Sequence, residues 1–265
     1  MEPIASLINP LHLEDLRNPQ HPSLFDENPG YDMLIVRLPV PGEPLRIDSV
    51  GFILTGTKSY LYDREQNSFT PLEGRFEGPH RIIDPLIDRL LHAFGTYQER
   101  VADMEEQLYT DREADFMTRW LGLKRDILRI ERVLIRTAPV LREVTERYEP
   151  AADFPVDHYA DLFEHSDRIL RSATHQLSKL DYIYNFYNMR TGEKMNRLIY
   201  LLTIISAIFL PLNLVVGFFG MNTGGLPFSQ ETRGTVYAVM LLLLLLLTTS
   251  AGLLLWYRKL HSPQR

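Results

Sequence analysis

The sequence predicts an α+β cytoplasmic domain with long coiled-coil-like helices, continuing into two transmembrane α-helices near the C-terminus. Three features predict it: short strand-like runs early in the chain, three segments with a 4-3 apolar repeat after them, and two long charge-free stretches at the end.

Strand-like material lies in residues 31–75. Met33 to Leu38, Val50 to Thr55 and Ser59 to Tyr62 are short apolar or alternating runs between turns that carry Pro and Gly. With the residues before them they make a small α/β part, 1–80. From about Arg81 the period becomes helical, and cytoplasmic helices are expected over 81–155. One apolar stripe reads Ile83, Ile87, Leu90, Phe94, Tyr97, Val101, Met104, Leu108. A second reads Phe116, Trp120, Leu123, Ile127, Ile130, Leu134, Thr137, Leu141, Val144, Tyr148, with a kink expected at Pro139. After the turn EPAADFP a third stripe begins a stalk helix, 156–197: Tyr159, Phe163, Ser166, Leu170, Ala173, Leu177, Leu180, Tyr184, Tyr187. These stripes speak for packing in a helical bundle. No strong stop follows, Gly192 being the one weak point. A helix from Val156 to Gly220 would be roughly 100 Å long.

Residues 198–220 and 234–257 carry no charge, and each is long enough for a bilayer core of about 30 Å. The first is transmembrane helix 1 and the second transmembrane helix 2, joined by an outer loop, 221–233. Arg190, Lys194 and Arg197 precede the first span. Arg258, Lys259 and Arg265 follow the second in a basic tail, 258–265, while the loop has only Arg233. That bias predicts a multi-pass protein of the cell (inner) membrane with both termini cytoplasmic. Trp256 and Tyr257 stand where an interfacial anchor belongs. The N-terminus lacks the pattern of a secretory signal peptide.

The chain's 265 residues carry a net charge of −6 and no cysteine. The charge argues against nucleic acid as a partner, and the missing thiols exclude disulfides and thiolate metal sites. Gly51 to Ser59, GFILTGTKS, imitates a phosphate-binding loop, but an extra residue between Gly56 and Lys58 breaks the spacing. No HExxH or GxSxG occurs, so no enzyme and no resident cofactor is expected.

Within the first span the polar and small residues gather in one register: Asn196, Ile199, Thr203, Ser206, Leu210, Asn213, Gly217, Gly220. An amide facing lipid is costly, so this face belongs against protein or water. It is either a polar helix–helix contact or the lining of a pore. Two helices cannot enclose a water-filled path, so a pore needs an oligomer with its axis through it.

The span ends Gly-Phe-Phe-Gly-Met-Asn, residues 217–222. A Gly-Met-Asn tripeptide closing the first of two C-terminal spans resembles the signature of the CorA family of divalent-cation transporters. LTIISAIFLPLNLVVG before it looks like that family's first span, and the close match covers about residues 190–260. The resemblance implies a funnel-shaped homopentamer in the lipid bilayer that moves divalent cations. Its pore would be lined by Asn196, Ile199, Leu202, Leu210, Asn213, Gly217 and Asn222, nearly the stripe read above. Gly220, Met221 and Asn222 would form the outer entrance, where a ring of amide oxygens meets a cation that gives up its water reluctantly. Leu202 and Leu210 would be apolar constrictions. After Asn222 the chain reads Thr-Gly-Gly-Leu-Pro, which looks more like the zinc-transporting ZntB branch. The resemblance thus implies Mg²⁺, with Co²⁺ or Ni²⁺, as the transported ligand, or alternatively Zn²⁺ with proton coupling. Glu231 is the acid of the outer loop.

Acids cluster upstream. Glu99, Asp103 and Glu106 share a face, as do Asp157, Asp161 and Glu164. The resemblance implies closure when cytosolic cation bridges acids of neighbouring subunits; solvated helix faces account for the same charges. His158, Asp161 and His165 share a face that suits zinc. The competing class is a membrane-anchored helical scaffold or signalling protein without transport, in which the stripe is an oligomer contact.

Overall fold

A computed structural model describes residues 3–108, 115–221 and 233–260. Two compact units divide the chain, Met1–Tyr187 and Asn188–Arg265.

The first unit opens on a 3-10 turn, Pro3–Ser6, and helix α1, Pro10–Arg17. The Asn9 side chain caps α1 by accepting from the Leu11 N–H at 3.0 Å, and Pro10 sits at the helix start, where its missing N–H loses no bond. Five strands follow: β1 Leu24–Asn28, β2 Tyr31–Val40, β3 Arg46–Leu54, β4 Ser59–Asp63 and β5 Ser68–Leu72. They pair antiparallel in chain order. Gly30, at φ +94°, makes the tight link between β1 and β2 that a side chain would strain.

Both faces of this sheet are covered, which is why β2 reads Met-Leu-Ile-Val without alternation. Leu34, Val36, Phe52 and Leu54 join the core shared with the long helices. Met33, Ile35 and Ile53 belong to a second core with Leu16 of α1. There Gly51 permits the close approach of α1: a Cβ would lie 2.4 Å from Leu16 Cδ2.

The three expected strands correspond to β2, β3 and β4, whereas β1, β5 and α1 were not anticipated. The two missed strands are the edges of the sheet. LFDEN and SFTPL carry acids or proline, and Pro71 is tolerated in β5 because an edge strand has no second neighbour to donate to.

Helix α2 spans Glu77–Gln107 and α3 spans Phe116–Tyr148, passing through Pro139 without ending. Every residue of the two apolar stripes expected there is buried. Helix α4, Val156–Gly220, runs unbroken past Gly192. Its seam is wider than a single 4-3 stripe. Leu162, Ile169 and Ile183 are buried beside Tyr159, Ala173 and Leu180, while Phe163, Leu170, Tyr184 and Tyr187 are only partly buried. Contact with more than one element broadens the apolar face.

Trp120 of α3 donates its indole N–H to the Leu180 carbonyl at 2.8 Å and stacks on Tyr184 at 4.7 Å. Phe116 stacks on Tyr187 at 4.2 Å, and Lys124 pairs with Asp181 at 2.6 Å. At the other end of this bundle Tyr159 donates to the Phe76 carbonyl at 2.9 Å. Nearby, Tyr148 donates to the Asp32 carboxylate while the Arg75 guanidinium lies over the Phe76 and Tyr148 rings.

The second unit holds α4 from Asn188 onward and α5, Gly234–Leu260. α4 contains an 18-residue window long and apolar enough to cross a membrane, none of it buried. Among the described residues it is the one helix that meets that test. The apolar part of α5 is the shorter Val236–Gly252.

Candidate functional site

The stripe read from the sequence lies on one uninterrupted helix, so its register carries from end to end. At 100° per residue Asn196, Thr203, Leu210, Ile199, Gly217, Ser206, Asn213, Leu202 and Gly220 fall within roughly 120° of arc. All nine are described, and eight are exposed, with Ser206 intermediate. The Thr203 hydroxyl donates to the Ile199 carbonyl at 2.8 Å, which leaves its lone pairs facing outward. Among the described residues the Asn213 amide has no hydrogen-bond partner.

Pro211 lies inside α4 on the same segment. Its ring removes the donor that would reach the Ala207 carbonyl, a loss a membrane helix tolerates where a neighbour or water supplies a partner. Met221 follows the helix and is exposed. Asn222 and Glu231 lie outside the described residues.

The upstream acids stay apart from this stripe. Glu99, Asp103 and Glu106 are exposed on α2; Asp157, Asp161 and Glu164 are exposed on α4, with Glu164 paired to Arg168 at 2.8 Å. The three residues suggested for zinc are not drawn into one site. His158 turns to His80 of α2, ring centroids 4.9 Å apart, whereas His165 is clamped between Asp161 at 3.3 Å and Asp88 at 3.4 Å. Among the described residues no group of three or more His, Cys, Asp or Glu side chains is arranged to hold a metal ion. That corrects the reading of His158, Asp161 and His165 as a metal trio within one chain. His80 and Asp88 were not anticipated. They sit on a different helix, and no local spacing signals a partner that only the packing of α2 on α4 provides.

The match to known proteins covers most of this architecture. Over 240 residues the chain is 25% identical to the cobalt/magnesium transport protein CorA of Thermotoga maritima, covering 83% of this chain and 68% of that protein. Over 189 residues it is 22% identical to the zinc transport protein ZntB of Yersinia pseudotuberculosis, covering 69% of this chain and 58% of that one. The complete structure of the CorA magnesium transporter from Methanocaldococcus jannaschii superposes with a TM-score of 0.74 at 14% identity, over 94% of this chain and 83% of that one, so the fold is shared. A family model described as CorA-like Mg²⁺ transporter protein matches residues 63–259, and the chain belongs to that family of divalent-cation transporters.

Proposed function

We propose that this chain moves a divalent metal cation across the inner membrane through a pore that several copies, five by resemblance, form around a common axis. α4 lines the path and α5 is the second span, with both chain ends in the cytosol. The observation that carries this reading is the stripe of polar and small residues on an unbroken helix that ends at Gly220-Met221 and leads into Asn222. A hydrated dication needs oxygen partners that hold it without stripping its water. Rings of Asn213 and Asn222 amides meet that need, where a carboxylate cage would bind too tightly for passage. Leu202 and Leu210 are then apolar constrictions that close by losing water. Glu231 adds a modest attracting charge outside.

Magnesium, with cobalt or nickel, is the first reading of the cargo because Gly-Met-Asn is intact. Zinc is the second, favoured by the Gly224-Gly225-Leu226-Pro227 continuation and by the likeness to ZntB. Cytosolic acids such as Glu99, Asp103 and Glu106 are candidates for closing contacts between copies.

Flux into liposomes of Mg²⁺, Co²⁺, Ni²⁺ and Zn²⁺, with and without a proton gradient, tests the whole reading. Asn222→Ala is expected to abolish flux while the oligomer stays intact on size-exclusion chromatography. Undiminished flux in that variant refutes the amide entrance, and no flux from the wild-type protein for any of the four ions favours a scaffold role instead.

A further inference from the structure

Two rows of exposed charge run along the helices of the first unit, each of one sign. On α2, Glu99, Asp103 and Glu106 share a face; on α3, Arg125, Arg129 and Arg132 share another. Both rows step by four and three residues, so each keeps to about 60° of arc. Arg100 lies off the acidic row, about 100° round the helix from Glu99. Elsewhere the long helices set opposite charges at this spacing. Arg168 pairs with Glu164 at 2.8 Å, Arg142 with Glu146 at 3.8 Å, and Arg171 with Asp167. The two rows instead place like charges at i and i+4, in Glu99 with Asp103 and in Arg125 with Arg129, which destabilises a helix.

Neither row is answered from within the chain. Among the described residues the three acids form no ion pair, and Arg125 meets only the adjacent Asp126, at 3.4 Å. Arg129 donates to the neutral Leu45 carbonyl at 3.3 Å, and Arg132 has no acidic partner among those residues. Yet the rows stand at the same height, as α4 shows by touching both helices. Glu105 of α2 pairs with Lys179 at 2.5 Å, and Lys124 of α3 pairs with Asp181 at 2.6 Å. About two turns earlier on α4, Gln98 donates to Ser172 at 2.6 Å and Thr174 donates to Glu131 at 2.8 Å. In each case the two α4 positions differ by a rise of only about 3 Å. α2 and α3 therefore run antiparallel, with Glu106, Asp103 and Glu99 level with Arg125, Arg129 and Arg132 in that order.

We propose that the arginine row of α3 docks on the acidic row of α2 in the next copy of the chain. Rotation about an axis parallel to the bundle leaves heights unchanged. It brings Arg125 to Glu106, Arg129 to Asp103 and Arg132 to Glu99. The contact is head to tail, with one row offered to each neighbour, and such contacts close into a ring. Exposed ion pairs are worth little singly. Three in register set which faces meet, and at what height, more than how tightly they hold. The inference rests on the oligomer of the transport reading and gives it a cytoplasmic contact that needs no bound cation.

Cross-linking of the full chain in detergent is the test, on a sequence with no native cysteine. Glu99→Cys/Arg132→Cys, treated with a short bismaleimide, is expected to give covalent multimers beyond the dimer on a denaturing gel. Either single variant can join at most two chains. Adding Arg129→Glu to the double variant should cut the multimer yield by about threefold or more. Adding Asp103→Arg as well should restore it. Multimers no larger than those of the single variants overturn the proposal, and so does a yield indifferent to Arg129→Glu or not restored by the swap. Either result from a chain that elutes as an oligomer and carries cations into liposomes leaves the transport reading standing, and the arginine row would then serve an acidic partner of another kind. A chain that elutes as a monomer overturns both.

Discussion

From Tyr159 to Tyr187 helix α4 packs an apolar seam inside its own chain, whereas from Asn188 to Gly220 no described residue is fully buried, although the second stretch is the more apolar. Leu180 is fully buried; Leu214, on the same helix, is 74% exposed. Polar side chains divide the same way. Thr137 in the first unit bonds across to the sheet, while Thr203 bonds only to its own helix. Among the described residues the second stretch leaves both its apolar and its polar faces exposed, as the proposed lipid-facing and axis-facing helix would require.

Matched substitutions in the two stretches put that contrast at risk, and the largest effect is expected from leucine. Leu180→Ala removes side-chain atoms from a filled core and should cost about 2–5 kcal/mol. Leu214→Ala removes the same atoms from an exposed site and should cost the fold less than about 0.5 kcal/mol. Thermal unfolding of the full chain in detergent reads the difference, at roughly 2–4 °C for each 1 kcal/mol. Equal shifts would mean that the second stretch is packed within the chain after all, and the contrast would fail.

A smaller effect is expected from threonine to valine, a near-isosteric change that deletes only the hydroxyl. Thr137→Val strips a partner from the Ser23 hydroxyl and the Arg37 carbonyl at a buried junction, and should cost about 1–3 kcal/mol. Thr203→Val loses only a bond to the helix's own Ile199 carbonyl and should leave the unfolding midpoint in place. Because Thr203 lies on the stripe, its substitution is expected to appear in liposome flux instead. A midpoint that falls with Thr203→Val as far as with Thr137→Val would erase the distinction.

Much of this contrast is legible in the sequence wherever burial repeats with the helical period. The stripes of α2 and α3 emerge residue for residue, and so does the unbroken run from Val156 to Gly220, because neither Gly192 nor Pro211 is flanked by capping residues that would end it. The seam of α4 was only half visible, since a face shared between neighbours buries Leu162 and Ile169 as well as the expected register. Edge strands β1 and β5 were not visible at all, having one neighbour and few apolar residues to show. The stripe on α4 is likewise readable, being local in sequence. The junction of Ser23 with Thr137 is not: one hydroxyl precedes β1 and the other lies on α3, and only the packing of the sheet on α3 unites them. The same holds for the His165 clamp, completed by Asp88.

The smallest expected effect concerns pH and again belongs to the first unit. Tyr148 is buried, and its hydroxyl donates to Asp32. Burial first, then the bond to that carboxylate, raises its pKa well above the ordinary 10.0. Tyr159, whose burial acts the same way, is also raised. The folded chain therefore holds these protons more tightly than the unfolded chain does. Their contribution is complete below the unfolded value of about 10 and is lost as pH climbs through the raised values. The unfolding midpoint should thus be insensitive to these groups at neutral pH and decline above pH of about 10. Tyr148→Phe should make that decline shallower, with Tyr159 left to account for part of the remainder. Other groups that titrate in this range are common to both proteins, so the difference between wild type and variant isolates the phenol. An identical alkaline slope in the two would show that Tyr148 ionises as freely in the folded chain as in water, and that its junction with Asp32 and Arg75 is open to solvent.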